Sequence, residues 1–182
     1  MTKALGVVEW QGIARGIAAV DALLKSSPVE LVMATPVCPG KFVTMVCGEV
    51  SAVRNAVRTA EEFDAGNVVD SLVLGTVHPS VIPALTGTAA DPAGRGSLGI
   101  IETFACAAAV RAGDAAAKGG QVQLLEIRLA RGLGGKSLVF LQGEVAAVQA
   151  AVRRATASVE DGLIVGVEVI SSPHKALWEK IF

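Results

Sequence analysis

The chain has 182 residues, of which 52% are hydrophobic and 18% are charged, and its formal net charge is −1 at pH 7. Its basic residues form no tract, which argues against nucleic acid as a partner. No run of about 18 uncharged apolar residues occurs, and the first residues lack the layout of a signal peptide, so a membrane is not expected either. The excess apolar surface is therefore predicted to lie in subunit interfaces.

The chain contains an internal duplication. The repeated pieces are Leu5–Glu9 with Leu98–Glu102, Asp21–Lys25 with Asp114–Lys118, Gly40-Lys41 with Gly135-Lys136, and Gly48–Val50 with Gly143–Val145. Internal symmetry outweighs the expectation of one domain from length alone. We predict a first domain over residues 4–86, a linker over 87–96 and a second domain over 97–182.

The first repeat predicts the element order β-α-β-β-α-β. It begins with a strand from Ala4 to Val8 and a helix with Ile13, Ile17, Val20 and Leu24 on one face. A hairpin follows, with a strand from Val29 to Thr35, a turn from Pro36 to Lys41 and a strand from Phe42 to Cys47. The repeat ends with a helix that has Val50, Val53 and Val57 on its buried face, a strand from Val68 to Leu74, and a helical tail from about Pro79. Apolar spacing and Pro-Gly boundaries support these assignments.

The second repeat follows the same order. Its elements are a strand at 98–101, a helix at 104–117, a hairpin from Val122 to Gln142, a helix from Val145 to about Ala157 and a strand from Leu163 to Ile170. The predicted fold class is mixed α/β, in the form (α+β) that keeps helices and strands in separate layers. Two tandem ferredoxin-like domains each place their helices on one face of an antiparallel sheet.

The three cysteines have different settings. Their odd number and the absence of Cys-x-x-Cys spacing fit a reducing cytoplasm and argue against a disulfide framework. Cys47 falls in strand register and Cys106 on an Ala-rich helix, so both are predicted to be packing residues. Cys38 stands in a Pro-Gly turn, whereas the equivalent tip of the second repeat, Gly132–Lys136, has no cysteine and is two residues longer. One cysteine alone cannot hold an iron-sulfur cluster, which normally needs about four thiolates.

The residues shared by both repeats resemble the shell-protein domain of bacterial microcompartments. They are Leu-Gly-x-x-Glu, a helix ending Asp-Ala-x-x-Lys, a hairpin tip ending Gly-Lys, and Gly-Glu-Val before an Ala-rich helix. A fused pair is similar to the tandem-domain shell proteins, whose trimers imitate six-domain tiles. The resemblance implies a pseudohexameric homotrimer that assembles with other shell proteins in a cytoplasmic microcompartment. It implies a structural role and not an enzyme.

The tip sequences are similar to those of the propanediol-utilisation type of shell protein, whose central cysteine holds an iron-sulfur cluster. If the tips converge on a threefold axis, three thiolates face one point. The resemblance then implies one [4Fe-4S] cluster per trimer, ligated by Cys38 from three chains, for electron transfer or cluster exchange across the shell, with enclosed redox enzymes as further partners. The other residues implied at the central tips are Pro39, Gly40, Lys41, Gly132, Leu133, Gly134, Gly135 and Lys136.

Lys25 and Lys118 each follow an aspartate by four residues, which by itself indicates a solvated helical ion pair. In the resembling family this lysine lies at the tile rim, so the resemblance implies a tile-edge role. The family's single-domain members often carry Arg-Pro-His near the last strand. The arginine is missing here, where the matching stretches end at His78 and His174.

The remaining polar candidates are predicted to be structural. His78 and His174 recur after the last strand of each repeat, which favours a role at a helix start. Glu9 and Glu102 recur at strand ends and are interpreted as fold or interface residues, not as a catalytic pair.

Two other functions stay open at this stage. One keeps the shell tile but makes the central opening a metabolite pore without a cluster. The other is a duplicated ferredoxin-like module that senses a small molecule, because this fold hosts many functions.

Overall fold

The computed structural model describes residues 3–90 and 96–182, so residues 91–95 of the predicted linker lie outside the described residues. The described residues form two compact units. The first contains the residues up to Val77 together with Ala130–Gly135, and the second contains the rest of the described chain from His78 onward. Each unit therefore includes a segment that belongs to the other sequence repeat.

The first unit contains the sheet of the first repeat. Its elements are β1 (Ala4–Trp10), α1 (Ile13–Ser26), β2 (Glu30–Val37), β3 (Lys41–Gly48), α2 (Val50–Phe63), a short 3-10 turn (Ala65–Asn67) and β4 (Val68–Leu74). The strands lie in the order β2-β3-β1-β4 and every neighbouring pair is antiparallel. This is the predicted ferredoxin-like arrangement, and β4 has the predicted bounds.

The second unit repeats this architecture. Its elements are α3 (Val81–Thr86), β5 (Ser97–Thr103), α4 (Cys106–Gly119), β6 (Gln123–Arg128), β7 (Ser137–Gly143), α5 (Val145–Ser158), β8 (Ile164–Ile170) and α6 (Lys175–Ile181). The sheet order is β6-β7-β5-β8, again antiparallel throughout. The helix-start role predicted for His174 implied a helix after it, and α6 is that helix, although its length was not predicted. Its Trp178 is buried against the side chains of Leu98, Leu125 and Phe140.

The repeated Leu-Gly pair has a packing reason. A Cβ atom on Gly6 would lie 2.7 Å from a methyl group of Val57 on α2, and one on Gly99 would lie 2.9 Å from a methyl group of Val148 on α5. Both distances are shorter than side-chain carbons tolerate. In each repeat, the second helix therefore needs a glycine on the first strand in order to sit this close to the sheet.

The apolar face predicted for α1 is not the one that the chain buries. Of the four residues predicted for one face, Val20 is buried, but Ile13, Ile17 and Leu24 are exposed, Ile17 by 55%. The core face of the helix carries Gly16, Ala19 and Leu23 beside Val20. Val50 of α2 is also exposed, although Val53 and Val57 are buried as predicted. Helix α1 is apolar on two faces, and periodicity does not tell which face meets the sheet.

The equivalent helix of the second repeat is covered. Helix α3, the helical tail predicted for the first repeat, packs against α4 and β6 within the second unit. The backbone N–H of His78 donates to Asp114 Oδ1 of α4 at 2.8 Å. Most residues of α4 are buried as a result, whereas the outer face of α1 is open in a single chain. Among the helices of the described residues, none has the length and apolarity needed to span a bilayer.

Candidate functional site

The first hairpin tip is shorter than predicted. Strand β2 ends at Val37 and β3 begins at Lys41, so Pro36, Val37 and Lys41 belong to strands and not to the turn. The Cys38–Pro39 peptide bond is cis, and Gly40 has a φ of 87°. The backbone N–H of Gly40 donates to the carbonyl of Val37 at 3.1 Å and closes the turn. The turn therefore places Cys38 at the end of the β2-β3 hairpin.

The tip of the second repeat folds onto the first tip within the first unit. The backbone N–H of Cys38 donates to the carbonyl oxygen of Ala130 at 2.8 Å. Ala130 is buried and has a φ of 24°, in a region that side-chain-bearing residues seldom occupy and that costs on the order of 1–3 kcal/mol. The hydrogen bond from Cys38 therefore holds a strained residue.

Gly135 fixes how closely the two tips approach. It has a φ of 90°. A Cβ atom at this position would lie 3.1 Å from Pro39 Cδ and 3.3 Å from the carbonyl oxygen of Cys38. Both the backbone conformation and the space therefore require glycine. The Gly-rich sequence of the second tip keeps this tip against Cys38 and Pro39.

The three thiols differ in accessibility. Cys38 is half-buried, whereas Cys47 and Cys106 are buried, which confirms their prediction as packing residues. Burial raises the pKa of the Cys47 thiol, and the negative charge of Glu30, whose Oε2 lies 3.6 Å from Cys47 Sγ, raises it further. Ser137 Oγ donates to Cys106 Sγ at 3.5 Å. Cys38 is thus the one cysteine whose thiol solvent reaches. Each chain therefore contributes one accessible thiol at the hairpin tip.

A pocket of about 340 Å³ lies beside Cys38. It is lined by Ile13 from α1, by Pro36, Val37, Cys38 and Gly40 from the first hairpin, and by Arg131 and Gly132 from the second tip. Arg131 Nη2 donates to Thr35 Oγ1, so the guanidinium is tied to strand β2. The sequence prediction missed Arg131, although it is the basic residue just before the Gly-rich tip. The two tips are distant in sequence, so nothing local indicated that it lies beside Cys38.

The lysines of the two Gly-Lys motifs form ion pairs. Lys41 on β3 pairs with Glu9 on β1, where the Glu9 side chain is fully buried and the Lys41 side chain is 14% exposed. Lys136 Nζ lies 2.5 Å from Glu102 Oε1, and both of those side chains are partly exposed. Glu9 and Glu102 are thus fold residues, as predicted, which join neighbouring strands below the tips.

The other tip residues have mixed exposure. Pro39, Gly40, Gly132 and Gly134 are exposed, Leu133 is half-buried and Gly135 is buried. Among the described residues, no three His, Cys, Asp or Glu side chains come together as a metal site. A metal group at Cys38 would therefore need thiols from more than one chain.

Lys25 and Lys118 both form the predicted helical ion pairs, but their surroundings differ. Lys25 Nζ lies 2.5 Å from Asp21 Oδ2, and both side chains are well exposed. Lys118 Nζ lies 2.6 Å from Asp114 Oδ2, where Asp114 is buried and also accepts the N–H of His78. The solvated pair that the spacing predicts is thus confirmed for Lys25 only.

The two histidines lie at helix starts. The imidazole of His174 accepts the backbone N–H of Ala176 at 3.2 Å and caps α6. The carbonyl oxygen of His78 accepts the N–H of Val81, the first residue of α3, at 3.0 Å. The predicted role at a helix start is confirmed for both residues.

Comparison with known proteins gives consistent matches. The family model described as BMC domain matches residues 4–77 and 97–173. The bacterial microcompartment shell protein PduT of Citrobacter freundii is 40% identical, over 100% of this chain and 98% of the relative. The crystal structure of a microcompartment protein from Desulfitobacterium hafniense has a TM-score of 0.90 and 43% identity, over 98% of this chain and 99% of that one.

A more distant structure shares the fold alone. The fused permuted hexameric shell protein of the RMM microcompartment has a TM-score of 0.66 at 20% identity, over 86% of this chain and 81% of that chain.

Proposed function

The chain belongs to the BMC-domain family, with one copy of the domain in each half, and on this premise we propose that it is a structural shell subunit of a bacterial microcompartment in the cytoplasm. Three copies form a pseudohexameric tile that joins other shell proteins. The support is the match to PduT over the whole chain, together with the two ferredoxin-like sheets.

The open face of α1 supports the trimer. Ile17 and Leu24 are exposed in a single chain, while the equivalent helix α4 is covered by α3. Because the two helices derive from one duplicated domain, a second copy of the chain is the natural cover for α1. Light scattering on the purified protein should give three times the mass of the chain, and a monomer at micromolar concentration would contradict the trimer.

The tile holds a [4Fe-4S] cluster through Cys38, and the single observation that carries this is the position of the thiol. Cys38 is the accessible cysteine of the chain and lies at the hairpin tip, where the two repeats meet. One thiolate is too few for such a cluster, but three chains around an axis supply three, and the fourth iron is left for another ligand. When bound, the cluster supplies one-electron chemistry for electron transfer or cluster exchange across the shell.

Analysis of iron and sulfide in the anaerobically reconstituted trimer tests this function. We expect about four iron and four sulfide ions for every three chains, with a brown colour. Much less than one cluster per trimer would overturn the proposal. Colourless flat sheets would then favour a metabolite pore, and discrete soluble trimers that bind a metabolite would favour a sensing module.

Lys25 lies at the edge between tiles in this proposal, as does Lys118. Lys25→Asp should leave the trimer folded, because an exposed lysine contributes little to stability. It should prevent the trimers from forming extended sheets, because the edge contact is lost and two carboxylates then meet there. Electron microscopy of assembled protein, with light scattering for the trimer, measures both effects.

Two further variants control this experiment. Lys175→Asp changes a lysine that is 88% exposed on α6 and should leave the sheets intact. For the second repeat, Lys118→Gln is preferable to Lys118→Asp, since a new carboxylate beside the buried Asp114 would destabilise the second unit. Sheets that persist in Lys25→Asp would place the tile edge elsewhere.

A further inference from the structure

We propose that the pocket beside Cys38 is a binding site for small organic anions and that Arg131 is the residue that sets this charge preference. The inference rests on the proposed function in that it concerns the same hairpin tip. Its experiment uses cluster-free protein, so it can fail or succeed independently of the cluster.

The pocket contains one charged side chain. Of the residues that line it, Ile13, Pro36 and Val37 are apolar, two are glycines, one is the Cys38 thiol and one is Arg131. None of these lining residues is a carboxylate. Arg131 is exposed, so its charge attracts an anion through water-screened electrostatics, and the attraction should weaken as salt is added.

Arg131 is held in place at both ends. Its guanidinium donates to the hydroxyl of Thr35, a buried residue of β2 close to Cys38. Its backbone follows Ala130, whose carbonyl accepts the N–H of Cys38. The bond to Thr35 therefore restrains an otherwise exposed side chain at the tip. A guanidinium carries five N–H donors, so one bond to Thr35 leaves donors for a ligand.

The chemistry of the pocket favours a short-chain carboxylate. A volume of about 340 Å³ admits only a small molecule. The apolar residues fit a short alkyl chain, and the planar guanidinium fits the two oxygens of a carboxylate. The same cation disfavours positively charged molecules. The positive charge of Arg131 would also suit a cluster held by three thiolates. The negative charge of three thiolates exceeds the positive charge of the cluster core, so the assembly as a whole is an anion.

The charge preference can be measured through Cys38 itself. Cluster-free trimer is treated with two methanethiosulfonate reagents of similar size, one with a sulfonate and one with a quaternary ammonium group, and mass spectrometry follows the modification of Cys38. The quantity compared is the rate constant for modification of Cys38 by the anionic reagent, divided by the rate constant for modification by the cationic reagent. In Arg131→Gln this ratio should fall by about tenfold, since a nearby unit charge attracts one reagent and repels the other.

Several variants separate charge from structure. Arg131→Lys keeps the cation and should keep most of the ratio, and Arg58→Gln, a change at an exposed arginine on α2, should not alter it. Cys38→Ser should show no fast modification, because Cys47 and Cys106 are buried. A loosened tip in Arg131→Gln would speed both reagents equally and leave the ratio unchanged. An unchanged ratio in Arg131→Gln overturns the role of Arg131.

A ligand is tested in the same assay. Butyrate at millimolar concentration should slow modification of Cys38 in the wild-type trimer, whereas the neutral butyramide should not. Arg131→Gln should lose the protection by butyrate. Absence of protection in the wild type, or equal protection by butyramide, would overturn the assignment of an organic anion.

Discussion

Cys38→Ser should remove iron, sulfide and colour together from the anaerobically reconstituted trimer. The variant loses three thiolate ligands at once, because each of the three chains contributes the same residue. We expect cluster content to fall from about one per trimer to a small fraction of that value. The tip should keep its fold, because the hydrogen bond to Ala130 comes from the backbone N–H of residue 38. Iron and sulfide assays, with light scattering for the trimer, measure both outcomes.

The other two cysteines provide matched controls. Cys47→Ala and Cys106→Ala should retain the cluster and lose only packing energy, about 1 kcal/mol each, because both side chains are buried inside the protein. The cluster proposal fails if Cys38→Ser holds as much iron and sulfide as the wild type. It also fails if either control variant loses them while its trimer stays folded.

Lys41→Met should destabilise the protein far more than Lys136→Met. Lys41 neutralises a carboxylate that is fully buried, and removing the cation from a buried ion pair typically costs about 3–5 kcal/mol. The Glu102–Lys136 pair is partly exposed, so its loss should cost at most about 1 kcal/mol. Urea unfolding at one fixed protein concentration compares the two, because trimer stability depends on concentration.

The double variant Glu9→Leu/Lys41→Met distinguishes charge from packing. Replacing both partners of a buried ion pair with apolar residues is often neutral, so the double variant should be more stable than Lys41→Met alone. If Lys41→Met and Lys136→Met lower the free energy of unfolding equally, burial of Glu9 does not determine how much the Glu9–Lys41 ion pair contributes to stability.

The order of strands and helices follows from local patterns. Strand β4 has the predicted bounds, because its β-favouring residues lie between the turn residues Gly66-Asn67 and Gly75. The prediction of the buried face of α1 was wrong except at Val20, because the helix is apolar on two faces. The face with small residues meets the sheet, since a Cβ atom on Gly16 would lie 2.9 Å from Phe42 Cβ. The start of helix α6 was indicated by His174, but its extent was not predicted, because the amphipathic pattern of this short segment is carried by few residues, Trp178 among them.

The candidate site was predictable only in part. The Pro-Gly turn indicated that Cys38 lies at a tip, which the structure confirms. Arg131 and the Glu9–Lys41 pair depend on contacts between elements that are distant in sequence, and spacing within one element does not encode such contacts. The sequence did contain a signal for the ion pairs, since Glu and Lys recur together in both repeats.

Because residues 130–135 complete the first unit, the order of synthesis on the ribosome matters for this protein. Domains generally fold as they emerge, with the N-terminal one first. Here the Cys38 tip leaves the ribosome long before Ala130, its hydrogen-bond partner, has been made. The first unit can be finished only after the chain has grown to Gly135. Folding of the first unit in this chain therefore depends on a segment of the second repeat that is made later.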